Sequence, residues 1–369
     1  MAVRAHAPDY VLIGSIMLLT VFGLVMLASA TAAVGFEKFG SAYYFLKRQV
    51  LFGFIPGIAI FIACLRLPYR VFVRARVPIF LLSLLLLVAV LIPGVGTTLG
   101  GAKSWLIFSG VSFQPSEILK IALIVFLAGF LEARRGEPLQ TMWHGIIPFL
   151  FPVGVSTALL AIQPDVGTLA IVLAISFGMV IVAGARLKHI AVLLGGGALV
   201  FGLLVASAPY RVERFTTFLH PELDPQGAGY QINQSFLALG TGGWFGEGVG
   251  HSRQKFQYLP EVASDSIFAI IGEELGFVAT ASVILLILLV WFRLLRIARA
   301  APDTFGRLTA FGIGVWFLAQ SFLNIGAMVG LLPITGLPLP FVSHGGTALL
   351  SALAAAGIAA RISAYTKPV

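Results

Sequence analysis

Long apolar runs, each closed by charge, proline or a glycine cluster, recur from Tyr10 to Arg361. A helix needs about 17 to 25 such residues to cross a hydrocarbon core of about 30 Å. The pattern predicts about ten spans, at about 10–30, 48–66, 77–95, 116–132, 145–163, 166–185, 187–207, 266–292, 308–330 and 345–364. The expected fold is therefore an all-α polytopic membrane protein, one integral membrane domain over residues 1–369. One long segment, 208–265 between the seventh and eighth spans, breaks the rhythm. With Phe215, Trp244, Phe256 and Tyr258 it is too aromatic for a solvated linker.

Composition agrees: 59% of residues are hydrophobic and 11% charged, against roughly 25% charged in a soluble domain. The first run ends in Ala28-Ser29-Ala30, which resembles a signal-peptidase site. That run is too long for a signal-peptide core and more spans follow, so an uncleaved anchor is expected. One set of connections carries Arg66, Arg70, Arg74, Arg76, Arg134, Arg135, Arg186, Lys188, Arg293, Arg296, Arg299 and Arg307, with Arg4, Arg361 and Lys367 at the ends. The short connections on the opposite side carry only Lys38, Lys47, Arg48 and Lys103. By the positive-inside rule both termini are cytoplasmic, and 31–47, 96–115, 208–265 and 331–344 face outward. The net charge of +9 is mostly this topology signal and does not argue for nucleic acid.

Unusual polar residues gather on the outward side. Glu117 and Lys120, spaced i, i+3, share a helix face; they are either a structural ion pair or, with Arg48, a cationic site for phosphate. Lys103 and Trp105 lie in the second outward loop, Trp105 being equally readable as an interfacial anchor. Gln163 and Asp165 sit in a tight turn, Asp165 as a helix cap or a polar cavity residue. Asp265, between Ser264 and Ser266, stands where the long loop meets the eighth span and is either a cap or a catalytic group. Arg211, Arg253 and Lys255 precede it, and Glu273 and Glu274 follow on the helix. The Pro- and Gly-rich segment 330–347, with Ser343 and His344, cannot be helical and is tolerated near hydrocarbon only where buried or lining a cavity. The six histidines are scattered and the one cysteine, Cys64, lies in an apolar run, so no metal site is expected.

The stretches YYFLKRQ (43–49), GAKSW (101–105), FQPSEILK (113–120), QPDVGT (163–168), DPQGAGYQINQS (224–235), GEGVGHSRQKFQYLPEVASDSIFAIIGEELGF (246–277) and GLLPITGLPLPFVSHGGT (330–347) resemble the SEDS family (shape, elongation, division and sporulation). GHSRQKFQYLPE and FGSAYYFLKRQ look more like its division-associated FtsW branch than its elongation-associated RodA branch. The resemblance implies a peptidoglycan glycosyltransferase of the bacterial cytoplasmic membrane that joins lipid II into glycan strands and releases undecaprenyl pyrophosphate. It implies Asp265 as catalytic base, with Glu117, Lys120 and Asp165 in a polar cavity, and a class B penicillin-binding protein as partner beside membrane lipids. The leaving pyrophosphate needs positive charge, for which a divalent cation, Mg or Mn, stays open beside the basic side chains. Ala263-Ser264 stand where the family usually has His-Thr, so no role passes to that histidine. A membrane bundle with intramembrane charges equally suits a lipid flippase, a transporter or a non-catalytic scaffold of the cell-wall machinery.

Overall fold

The structure is a computed structural model that describes residues 6–99, 102–108, 110–136, 139, 141–206, 216–220, 229–256 and 258–366. Backbone amides and carbonyls find no water in hydrocarbon, so an apolar run must close its own hydrogen bonds. Each predicted span accordingly coincides with helix. These are α1 (Tyr10–Phe39), α2 (Tyr44–Gln49) continuing through a π turn into α3 (Ile55–Arg66), α4 (Arg70–Leu91) and α5 (Pro115–Ala133). After them come α6 (Ile147–Ile162), α7 (Val166–Val182) and α8 (Leu187–Ala206), then α9 (Tyr230–Gly242), α10 (Ile267–Ala300), α11 (Thr304–Met328) and α12 (Gly346–Ser363). Among the described residues seven runs are long and apolar enough to cross a membrane, and Val166–Val182 and Leu187–Leu199 are shorter apolar helices.

Two of the segments expected to face outward hold more structure than their sequence predicts. Residues 96–113, expected as loop, contain an antiparallel sheet of β1 (Gly96–Leu99), β2 (Ala102–Phe108) and β3 (Val111–Phe113) in the order β1-β2-β3. The long loop contains α9, which packs against α10.

Helix α11 lies centrally against α5, α7 and α10, while α12 packs along α3. Small residues set that last distance: a side chain on Gly57 would meet Leu353 at 2.7 Å, and one on Gly357 the Phe61 carbonyl at 2.6 Å. At the end of the bundle where α1 starts, caps and ion pairs tie the helices together. Asp9 caps α1 through Leu12 and pairs with Arg293 of α10 at 2.6 Å. Asp303 caps α11 through Gly306 and accepts the Tyr69 hydroxyl at 2.5 Å.

The opposite end is organised by a break in α10. Gly276 has φ 75° and ψ −171°, a conformation essentially reserved for glycine. The break frees two carbonyls and two amides, and the segment entering from α9 supplies all four partners. Glu247 N donates to the Glu273 carbonyl at 2.9 Å and Gly248 N to that of Glu274 at 3.0 Å. Phe277 N and Val278 N donate to the carbonyls of Gly243 and Trp244 at 2.8 and 3.2 Å. The sequence predicts one unbroken span over 266–292; the backbone departs from it because Leu275-Gly276 can leave the helix once an outside strand of chain takes over the hydrogen bonding.

Substituting Gly276→Ala would put a Cβ at 2.4 Å from Gly246 N and 2.5 Å from Phe245 N, on top of the strained φ. Backbone strain alone is worth about 1–3 kcal/mol. Thermal unfolding in detergent is expected to show Gly276→Ala clearly destabilised, whereas Gly195→Ala, in α8 with open space around it, should melt like the parent protein.

Candidate active site around Asp265

Asp265 sits just before the first turn of α10, and its side chain is among the buried ones, at 5% exposure. Its place is set through the main chain. Ser266 N donates to the Glu261 carbonyl at 3.2 Å, and Asn324 Nδ2 of α11 donates to the Asp265 carbonyl at 2.8 Å. The carboxylate receives Gln231 Nε2 of α9 at 3.4 Å, and the same amide donates to Ser266 Oγ at 2.9 Å. The connection between α11 and α12 closes over this point. Asn324 Nδ2 also reaches the Leu337 carbonyl at 2.8 Å, and His344 N donates to the Ala263 carbonyl at 2.8 Å.

One turn along the same face of α11, Gln320 extends this polar line. Its Nε2 donates to the Pro338 carbonyl at 2.8 Å, while its Oε1 accepts Lys120 Nζ at 2.8 Å and Trp316 Nε1 at 2.7 Å. Lys120 pairs with Glu117 at 2.6 Å and stands 4.8 Å from the centre of the Trp316 ring. Both charged groups are buried, and Glu117 Oε2 has no hydrogen-bond partner in the structure. Glu117 borders a cavity, with room for about one water, whose other walls include Gln320, Pro338, Phe341 and Ser343. A small ladder of side chains thus joins the Glu117–Lys120 pair to the backbone at Asp265.

The other residues singled out in the sequence fall around this line with varied duties. Arg48 donates to the Tyr44 hydroxyl at 3.0 Å and to the carbonyl of Gly110 at the β2–β3 turn. Lys103 holds the end of α4 through the carbonyls of Leu91 and Ile92, at 3.1 and 3.4 Å, which is how a cation satisfies helix C-terminal acceptors. Trp105 lies in β2 opposite Thr97. Gln163 donates to the Leu87 carbonyl at 2.8 Å. Asp165 caps α7, accepting from Thr168 N at 3.0 Å, and also takes the Ser116 hydroxyl of α5 at 3.1 Å. Ser343 Oγ accepts Leu339 N at 2.7 Å inside the 331–345 connection, and Gly345 N of the same connection donates to Gln49 Oε1 at 2.9 Å. Arg211 lies outside the described residues.

Lys255 does not stand free beside Asp265. Lys255 is buried and pairs with Glu274 at 2.8 Å, and Ser29 of α1 donates to the same carboxylate at 2.6 Å. Glu273 is held by the Ser252 hydroxyl and by Arg253 N at 2.8 Å, so Arg253 contributes its backbone there while its side chain is exposed. Both deeper acids therefore anchor the loop onto the broken helix. Ser29, in the signal-like triplet, is part of that anchor.

Gln231, Asn324, Gln320 and Trp316 carry much of this geometry and are absent from the candidates drawn from sequence. Their signal is present, since Trp316, Gln320 and Asn324 recur at i, i+4, i+8 in an apolar helix, which puts three polar tips on one face.

Comparison with known proteins fixes the family at this point. The family model described as a cell cycle protein, covering FtsW, RodA and SpoVE, matches residues 9–368. The chain belongs to the FtsW/RodA/SpoVE family. It is 40% identical over 363 residues to the probable peptidoglycan glycosyltransferase FtsW of Geobacter sp. (strain M18), covering 98% of each chain. It is 41% identical over 367 residues to the stage V sporulation protein E of Bacillus subtilis (strain 168), covering 100% of each. Among solved structures it resembles a chain of a peptidoglycan synthase complex, studied for the coordination of polymerization and crosslinking, with TM-score 0.78, 29% identity and coverage of 97% and 98%. The rod shape-determining protein RodA of Thermus thermophilus aligns with TM-score 0.71 and 27% identity, over 97% of both chains. The chain is thus a multi-pass membrane member of the FtsW/RodA/SpoVE family.

Two measurements test the energetics of this family member's site. Removing one partner of the buried pair, as in Lys120→Met, leaves an uncompensated Glu117 and is expected to cost about 3–5 kcal/mol; the double variant Glu117→Gln/Lys120→Met should recover most of that loss in detergent unfolding. His344, outside the spanning helices, has its imidazole pushed down to about 4 by burial, with the charge of Arg48 adding to the effect. Below its unfolded value of about 6.5 the unfolded chain takes up a proton that the folded chain refuses until about pH 4. The stabilisation is full above that window and is lost as pH falls through it. Melting temperature should therefore drop less between pH 7 and pH 5 in His344→Asn than in the parent protein.

Proposed function

We propose that the chain is a peptidoglycan glycosyltransferase that polymerises lipid II, with Asp265 as the general base. The observation that carries this reading is the placement of Asp265, a buried carboxylate whose main chain is tied to α11 and to the 331–345 connection, in a fold shared with a peptidoglycan synthase complex. The relatives' printed name, peptidoglycan glycosyltransferase, supports the reaction class. In the proposed step Asp265 takes the proton of the acceptor's 4-hydroxyl. The freed oxygen attacks the anomeric carbon of the donor, a C–O bond forms there, and the bond to the pyrophosphate breaks. Undecaprenyl pyrophosphate leaves with the electron pair.

Among the cations, Lys120 and Lys255 are neutralised by buried acids, whereas the contacts of Arg48 are to a hydroxyl, a carbonyl and the Tyr44 and Phe52 rings. Arg48 and the exposed Arg253 are the side chains assigned to the leaving phosphates. Among the described residues no three or more His, Cys, Asp or Glu are grouped as an all-protein metal site would need.

The remaining assignments follow from this reaction. The whole chain acts as one integral membrane domain of the bacterial cytoplasmic membrane, with the Arg-rich end of the bundle and both termini in the cytoplasm. Asp265 then faces outward, where lipid II and membrane lipids meet it. The synthase-complex neighbour supports a class B penicillin-binding protein as partner.

Purified Asp265→Ala is expected to bind lipid II yet lose polymerisation by at least about 100-fold, the usual contribution of a general base. Glycan synthesis at the parent rate, with or without the transpeptidase, would overturn the assignment.

A further inference from the structure

The segment that fills the break in α10 is turned inside out. Among the described residues of 243–258, the buried side chains are Ser252, Gln254 and Lys255, all polar. Its apolar side chains, Trp244, Phe245, Val249, Phe256 and Tyr258, are 56% to 81% exposed. A loop in water would show the reverse, because each exposed aromatic forfeits its transfer free energy. An apolar exterior is the expected state only where the surroundings are themselves apolar.

Depth agrees with that environment. Arg293 begins the basic cluster at the far end of α10 and pairs with Asp9. Counting back about 20 residues, enough helix to cover about 30 Å of hydrocarbon, reaches Glu273, within one turn of the break at Gly276. The loop that bonds to residues 273–278 therefore lies at the boundary between headgroups and acyl chains. Its surface also continues that of the spanning helix. Trp244 packs edge-on against Phe277, ring centres 5.3 Å apart, and Phe277 heads an exposed apolar face with Val278, Leu285 and Phe292. Glu247, His251 and Arg253 are exposed between the aromatics, the mixture that suits an interface rather than the hydrocarbon interior.

We propose that residues 243–258 form a re-entrant segment seated in the lipid interface of the leaflet at the Asp265 end. Trp244, Phe245, Val249, Phe256 and Tyr258 contact lipid, and the Arg253 guanidinium lies level with the lipid phosphates. The apolar side chains meet acyl chains while the polar ones close on Glu273 and Glu274, so one segment serves two surroundings at once. Lipid contact here does not depend on the chemistry assigned to Asp265, so failure of one leaves the other standing.

The test uses the full chain in vesicles of phosphatidylethanolamine and phosphatidylglycerol. Nitroxide labels are placed singly through Phe245→Cys, Val249→Cys and Tyr258→Cys in a Cys64→Ala background, with Leu285→Cys as the reference for hydrocarbon. These positions are exposed, so labels leave the packing intact, and retained thermal unfolding verifies it. Collisions with oxygen are expected to exceed those with a water-soluble nickel chelate, at a depth of about 5–10 Å below the phosphates. Dominance of the chelate at all three positions, as in an aqueous loop, overturns the proposal. Shielding from both reagents, as under a protein partner or a second copy, overturns it as well.

Discussion

Four backbone groups freed at Gly276 are the constraint on which the Asp265 end of the molecule depends. Within a membrane-spanning helix an amide or carbonyl without a partner costs several kcal/mol, so α10 can break only if another stretch of chain satisfies both sides of the gap. Residues 243–248 do so with paired bonds in each direction. That geometry leaves no room for a side chain at two positions: a Cβ on Gly246 would fall 2.2 Å from the Glu274 carbonyl, and one on Gly242 1.9 Å from that of Gly272. Gly242 and Gly246 are thus a condition for closing the break. Glu273 and Glu274, placed at the break, then draw in Ser252, Lys255 and Ser29 and fix the loop to α10 and α1.

A second constraint is charge. Buried ions are costly unless paired or hydrogen-bonded, and two compact arrangements pair them here, Lys120–Glu117 with Gln320 and Lys255–Glu274 with Ser29, while Glu273 is held by hydrogen bonds from Ser252 and Arg253 N. Each pair cancels its own charge. They also join elements far apart in sequence, α5 to α11 and the long loop to α10, so their chief structural effect is to fix register among helices whose apolar faces would tolerate sliding.

The helices were legible because a run's length and its bounding charges are local properties of the chain. Asp265 and the Glu117–Lys120 pair were legible for a similar reason, since acids and bases inside apolar runs are rare enough to stand out. The break at Gly276 was not, because a glycine in a helical run reads the same whether or not a distant segment arrives to bond the freed backbone. Nor were the roles of Lys103 and Lys255: a lysine near the membrane surface shows its charge in sequence but not whether carbonyls of α4 or the carboxylate of Glu274 will claim it. Gln320 and Asn324 were hidden because neutral amides carry little weight beside formal charges, although in a low-dielectric interior their hydrogen bonds hold the 331–345 connection in place.

This division of labour bears on which carboxylate is suited to chemistry. Glu273 and Glu274 are fixed by their carboxylates, so any proton or substrate taken there would compete with the bonds that hold the loop. Asp265 is fixed differently. Its carbonyl is held by Asn324, its neighbour Ala263 by His344 N, and its neighbour Ser266 by Glu261, all main-chain bonds that survive a change in the state of the carboxylate. A base whose main chain is held by bonds that do not involve its carboxylate can accept and release a proton with little movement of its backbone, a form of preorganisation. The way its backbone is held therefore suits Asp265 to the general-base role proposed for it.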